Sequence, residues 1–233
     1  MPEMIPEEIS VRRRALIGGS LAAVAVLALP GCATYPAFSY EEAIRRLLVQ
    51  ASERAFVRLT EPGGYWDRQV TQVGLDGYFG NRGSVLTNIL TSTLFKSRLE
   101  QVAADIAIDA SYRVAPVVAD AVRTVGYANA VALIRGGPTA ATTFLRQEMG
   151  TQLLNALVPE VGQALQVAED PLVRELLVGL TGVDLGGVAR GFAGAVEEVI
   201  WTEIGREEAA IRADPAATRD RVLMEAFGGG ALP

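Results

Sequence analysis

Behind Ser39-Tyr40-Glu41-Glu42, apolar residues recur at three- and four-residue spacing, and the same spacing returns with few breaks as far as Phe227. That period lays an apolar stripe along a helix. No stretch alternates convincingly at period two, and no fixed-length repeat is present, so the chain is expected to fold as an all-α, compact single-domain bundle of about 6–8 helices. Ser39 and Glu42 form a capping box, and Ile44, Leu47, Leu48, Ala51, Ala55 and Leu59 set the stripe of a helix from about 40 to 60, stopped by Glu61-Pro62-Gly63-Gly64. Ser97-Arg98-Leu99-Glu100 reads as a second capping box, opening a helix with Leu99, Val102, Ala103, Ile106, Ala110 and Val114 on its buried face. Pro116 is expected to kink or break that helix, and the pattern resumes from Val117 to Val125.

A short apolar segment, Tyr127 to Ile134, ends at Arg135-Gly136-Gly137. Pro138-Thr139 then opens one long helix carrying Phe144, Leu145, Met149, Leu153, Leu154 and Leu157, bent or ended by Pro159. Asp170-Pro171 reads as an N-cap with proline at the first helical position, followed by a short helix to about Gly182. Asp184 is expected to cap a helix that buries Val188, Phe192, Val196, Val199, Ile200 and Ile204. Asp214-Pro215 repeats the cap-plus-proline device for a final helix to about Phe227, closed by Gly228-Gly229-Gly230. The exception is Pro62 to Ser84, a glycine-rich stretch with no clear period that holds Tyr65, Trp66, Tyr78 and Phe79. Long loops in compact domains are uncommon and often functional. Tyr65, Trp66, Asp76, Gly77, Tyr78, Phe79, Gly80 and Asn81 are therefore candidate binding-loop residues, unless the rings simply pin the loop to the helices.

The residue types exclude much chemistry. There is no histidine and one cysteine, Cys32. Histidine triads, histidine metal sites and cysteine-bound zinc are ruled out, and thiol catalysis would need the cysteine at the very start of the domain. No phosphate-cradling loop follows a strand, so no cofactor is expected. The net charge of −6, with a pI of about 4.9 and no basic stripe, argues against nucleic acid as a partner. Carboxylates remain. Glu197, Glu198, Glu203, Glu207 and Glu208 crowd one helix, and Asp105 and Asp109 sit one turn apart on another. The expectation is a solvated acidic face partly paired to Arg206 and Arg212, with no metal site. Gly136-Gly137-Pro138-Thr139 offers free N–H groups at a helix start, where an anion or an ordinary cap can sit. Arg146 and Gln152 are candidate polar residues lining a cleft.

The N-terminal segment supplies an address. Arg12, Arg13 and Arg14 precede an uncharged run from Ala15 to Pro30, which Gly31 and Cys32 close. A basic head, a short apolar run and small residues at the end make an export signal, and the run is shorter than the about 20 apolar residues a membrane span needs. Leu29-Pro30-Gly31-Cys32 resembles the lipobox of bacterial lipoproteins, with Pro30 as a departure, and implies acylation of Cys32 after cleavage. Ser10 to Leu16 resembles a twin-arginine signal with one extra residue. The resulting division is 1–31 export signal, 32–38 tether, 39–228 helical domain and 229–233 frayed tail. Ala33 after the cysteine favours the outer over the inner membrane.

Three further elements carry a family resemblance. Asp76-Gly77-Tyr78-Phe79-Gly80-Asn81 resembles a "DG-aromatic-x-GN" element, Ala141 to Arg146 with Gln152-Leu153 and Pro159 resembles a central helix, and Glu207 to Pro215 resembles an "EE-x-x-IR-x-DP" segment. Together they are similar to an uncharacterised family of exported bacterial proteins, a domain of unknown function, over roughly 40–228. One departure is that Ser84 to Leu90 can be helical where the family has a proline-containing linker. The resemblance implies a helical, exported domain and no activity. The functional expectations are a non-catalytic lipoprotein that binds or scaffolds an envelope protein, peptide or apolar ligand on the periplasmic side. A purely structural envelope protein and a carboxylate-based, metal-dependent enzyme are the alternatives.

Overall fold

The computed structural model describes residues 38–69, 93–166 and 185–229, which belong to one compact unit, Pro36–Pro233. Among the described residues there are eight α-helices, one short 3₁₀ helix and no strand. They are α1 (Tyr40–Thr60), α2 (Tyr65–Gln69), α3 (Thr93–Thr124), α4 (Ala130–Arg135), α5 (Ala140–Met149), α6 (Gln152–Gln166), α7 (Leu185–Ala213), the 3₁₀ helix Pro215–Thr218, and α8 (Arg221–Phe227). The four long helices close a ring in which α1 packs on α7, α7 on α6, α6 on α3 and α3 on α1. The short helices α4, α5 and α8 cover the α1 and α7 sides of this ring.

The apolar stripes build the core. On α1, Ile44, Leu47, Leu48, Ala51, Ala55 and Leu59 are fully buried, and Val196, Ile200 and Ile204 of the adjacent α7 share the same core. Truncating one such leucine to alanine typically costs about 2–5 kcal/mol, lost transfer energy plus the cavity left behind. Half of the first capping box forms: the Glu42 N–H donates to Ser39 Oγ at 3.3 Å, while the Glu42 carboxylate turns to Arg45 and Arg46 at 2.9 and 2.8 Å in place of the Ser39 N–H.

Several boundaries differ from expectation, each for a local reason. Helix α3 already begins at Thr93, so Ser97 to Glu100 lies inside it and does not open it. Pro116 does not end α3, and Pro159 does not end α6. A proline costs a helix the bond to the carbonyl four residues back. Here those carbonyls belong to Tyr112 and Asn155, both exposed, as are both prolines. Water can take the freed acceptor. The long helix expected from Thr139 is two helices, because Gly150 adopts φ 53° and ψ −116°, a conformation that suits glycine alone. Asp214 caps the 3₁₀ helix, not the last helix. Asp220 caps α8 instead, accepting from the Val222 and Leu223 N–H groups, and Arg46 of α1 reaches the same carboxylate at 3.1 Å.

The signal residues Arg12, Arg13, Leu29 and Gly31, the attachment residue Cys32, Asp76, Gly77, Tyr78, Phe79, Gly80 and Asn81, the segment from Asp170 to Asp184 and residues 230–233 lie outside the described residues.

Candidate functional site

Helix α7 carries the acids singled out above, and two of them are not on a solvated face. Glu203 is 4% exposed and Glu208 is 0% exposed. Successive residues advance about 100° around a helix, so Glu207 lies close to the azimuth of Glu203, and Glu208 is turned well away from it. The two buried acids accordingly do different work.

Glu208 closes the turn between α4 and α5. Its Oε1 accepts from the Ala141 N–H at 3.0 Å, and its Oε2 accepts from the Thr142 N–H at 2.7 Å and the Thr142 hydroxyl at 2.6 Å. These are orphan donors of the first turn of α5, where Thr139 makes no side-chain cap. The helix start proposed as an anion site therefore holds an anion belonging to the chain itself, as the helix dipole favours. One turn on, Arg212 donates through Nε to Glu208 Oε1 at 2.8 Å, and through its terminal nitrogens to the carbonyls of Leu133 and Ile134 at 2.9 and 3.0 Å. A carboxylate on the start of α5 and a guanidinium on the end of α4 bind both helices to α7. Phe227 of α8 lies under the Arg212 guanidinium, 4.7 Å from ring centroid to Cζ.

Glu203 looks the other way, toward the end of α1. Its Oε2 lies 3.4 Å from Arg58 Nε and 3.2 Å from an Arg206 terminal nitrogen. Arg58 and Arg206 also approach Glu207, at 3.5 and 3.4 Å. Neither Glu203 Oε2 nor Arg58 Nε completes a well-directed hydrogen bond, so the contact is charge against charge. Burial pushes the Glu203 carboxyl above the usual glutamate range. The Arg58 charge opposes that shift and the Glu207 charge adds to it. Burial likewise raises the nearby Tyr65 phenol, with the Glu203 charge adding to it.

The aromatic loop begins as a helix. Tyr65 and Trp66 open α2 and stack edge-to-face at 5.2 Å. Trp66 is fully buried, and its indole N–H donates to Ser111 Oγ of α3 at 3.2 Å. Trp66 is thus a core anchor and not a contact residue of a binding loop; Tyr65 is half-buried. Arg146 and Gln152 are exposed, and Arg146 pairs with Glu198 on α7. Neither lines any of the grooves described next. Asp105 and Asp109 are exposed, and Asp109 pairs with Arg113.

Among the described residues, a groove of about 370 Å³ lies between the end of α6 and the start of α7, and two larger open grooves lie beside α1. One, of about 880 Å³, lies between the C-terminal half of α1 and the middle of α3, lined by Phe56, Val57, Tyr112, Ala115, Pro116 and Ala119 with Glu53, Arg113, Arg123 and Glu160 at its edges. Val57 and Tyr112 are 59% and 71% exposed. The other, of about 920 Å³, lies at the start of α1 against α4, lined by Phe38, Tyr40, Tyr127, Val131 and Arg135 among others. No cluster of acids able to hold a metal ion occurs among the described residues, and none of their helices is long and apolar enough to cross a membrane.

A model of the family described as protein of unknown function (DUF4197) matches residues 34–228. The chain belongs to that family. No curated protein and no solved structure matches it. In this DUF4197 member the segment Glu207 to Pro215 has a structural reading throughout. Glu208 and Arg212 form the clamp, Ile211 is buried, Asp214 caps the 3₁₀ helix by accepting from the Ala217 N–H, and Pro215 opens it. The clamp escaped the sequence reading because its partners lie 66 to 79 positions away. A signal for it was present: Glu208 falls in register with the stripe of Ile200, Ile204 and Ile211, where an acid is buried or misplaced.

Proposed function

We propose that this DUF4197 member is a non-catalytic binding or scaffolding lipoprotein, tethered through Cys32 on the periplasmic side of the cell envelope. Its proposed partner is an envelope protein that seats apolar side chains in the groove between α1 and α3. The observation that carries the reading is the coincidence of Val57 and Tyr112, large apolar side chains left open to solvent, in one groove edged by charges of both signs. An apolar patch rimmed by polar residues is the usual form of a protein-binding surface. The α7 acids argue in the same direction. Glu208 has both oxygens occupied by α5 and Arg212, and Glu203 lies between two guanidinium groups, so neither is offered to a substrate. The basic head, apolar run and cysteine of residues 12–32 support the anchor.

A photo-cross-linking residue at position 112, in cells making the full chain, tests the groove. We expect one dominant adduct that disappears when Val57→Asp is added. Adducts indifferent to Val57→Asp, or none, refute the assignment. Cys32→Ser tests the tether, which fails if membrane association is unchanged.

A further inference from the structure

The second groove lies where the tether enters the fold. Phe38 and Tyr40 stack edge-to-face at 4.9 Å at the start of α1, and over Tyr127 they wall a groove of about 920 Å³ whose far side is α4. Val131, on the outer face of α4, is 42% exposed, and Ala128 and Ala132 beside it are exposed too. The charges at the groove edge are Glu41 and Arg135, one of each sign. Tyr127 is buried, its hydroxyl donating to the Val122 carbonyl at 2.7 Å and the Arg45 guanidinium 5.5 Å from its ring centroid, so it forms the floor of the groove and not its exposed wall.

The covalent chain limits what this face can meet. Cys32 and Phe38 are six residues apart. Even fully extended, such a stretch spans about 20 Å. An acylated Cys32 sits at the membrane surface, so Phe38 can never be farther from that surface than this. The groove between α1 and α3 begins at Ser52, 14 residues after Phe38, about 21 Å away at 1.5 Å per residue. Of the two apolar faces, the one at the head of α1 is held next to lipid. Its composition suits that neighbour. Phenylalanine and tyrosine rings with an arginine beside them favour the boundary between headgroups and acyl chains.

We propose that the face formed by Phe38, Tyr40 and Val131 over the buried Tyr127 docks on the bilayer surface, resting the start of α1 and the outer side of α4 in the headgroup layer. The inference rests on the lipid-anchor reading of Cys32 and adds to it a defined orientation. The tether sets the distance, and the aromatic face sets which end of the bundle turns down. With one positive and one negative charge at its edge, docking on neutral lipid needs no anionic headgroup.

The test uses the only cysteine. The mature chain from Cys32 onward is coupled through that thiol to a maleimide-headgroup lipid in phosphatidylcholine vesicles, and hydrogen–deuterium exchange is compared with the same chain free in solution. Amides of residues 127–135 are expected to exchange about tenfold more slowly on the vesicle, the factor that 1.4 kcal/mol of added protection gives. Val131→Glu, a change at an exposed position that leaves the fold intact, is expected to remove the slowing. Unchanged exchange in the coupled chain overturns the proposal, as does slowing that survives Val131→Glu. Chemical coupling keeps this result separate from the anchor itself. If mass spectrometry of the chain extracted from membranes finds Cys32 without acyl groups, the lipoprotein reading fails whatever the exchange data show.

Discussion

Glu208→Ala should be the most damaging single change on the charged side of the fold. The carboxylate is fully buried and receives the Ala141 N–H, the Thr142 N–H, the Thr142 hydroxyl and Arg212. A hydrogen bond to a charged group contributes roughly 1.5–3 kcal/mol, and such terms do not add when they share one acceptor. Removing one partner of a buried ion pair costs about 3–5 kcal/mol, because the other charge stays desolvated. Arg212 is that charge, its side chain only 10% exposed. It keeps the Leu133 and Ile134 carbonyls and the Phe227 ring, which places the expected loss near the middle of the range, about 4 kcal/mol. Against a total stability of about 5–15 kcal/mol this is a large fraction. Urea titration followed by far-ultraviolet circular dichroism and by Trp66 and Trp201 fluorescence reads it out. With a slope of about 2 kcal/mol/M, the midpoint should fall by about 2 M. Replacing Arg212 with methionine in the Glu208→Ala background should cost less than the two single changes summed, by about 0.5–3 kcal/mol, since the orphaned charge is gone. A midpoint shift under about 0.5 M for Glu208→Ala would refute the clamp as the closure of the α4–α5 turn.

Three further expectations follow from the same geometry. Ser111→Ala leaves the buried Trp66 indole N–H without its acceptor and should cost about 1–3 kcal/mol in the same titration; a cost near zero means the N–H finds another acceptor. At Gly205 a Cβ would stand 3.2 Å from Thr139 Cγ2, so alanine should be close to neutral, its helix preference of about 1 kcal/mol offset by crowding. Leucine there should cost about 1–3 kcal/mol by forcing α7 from the start of α5, and a tolerated leucine would show that this approach is loose. For Glu203, burial favours the protonated acid in the fold, so wild-type stability relative to Glu203→Gln should decline as pH rises from the ordinary glutamate value through the raised folded-state value, then level off. Denaturation of both proteins across that range measures it, and a difference that grows with pH there contradicts the burial argument.

What the sequence disclosed follows the range of the interactions. Stripes on α1, α3 and α7 were legible because the period of the helix and the polarity of each side chain act within a few residues. Ile44, Leu47, Leu48, Ile200 and Ile204 are all fully buried where the spacing put them. Prolines misled because their effect depends on what the freed carbonyl meets, and for Tyr112 and Asn155 it meets solvent. Gly150 split one helix into two through a backbone conformation open to glycine, which the apolar spacing on either side does not register. Asp214 and Asp220 compete as caps six residues apart, and the 3₁₀ helix between them decides the assignment. Arg146 and Gln152 end up on different helices, α5 and α6, on either side of the Gly150 break, and neither lines the grooves beside α1, which no local pattern could reveal.

The acids of α7 show why counting carboxylates on one helix is a poor guide to chemistry. Glu198 meets Arg146 at the surface, Glu203 and Glu207 meet Arg58 and Arg206, and Glu208 meets Arg212 and the first turn of α5. The acids divide between two neighbours, Glu203 and Glu207 toward α1 and Glu198 and Glu208 toward α5, because azimuths on α7 turn toward different packed elements. The helix thereby fastens α1, α4 and α5 to one another through charges whose positions the fold fixes. These α7 acids are engaged in closure, so the recognition proposed above falls to the apolar grooves. Both grooves are bounded by α1, one near each of its ends. That helix is packed on α7 and α3 and tied to α8 through Arg46 and Asp220. Because α1 bounds both grooves, it fixes their separation, so under the two proposals above the protein partner would stand at a set height above the bilayer.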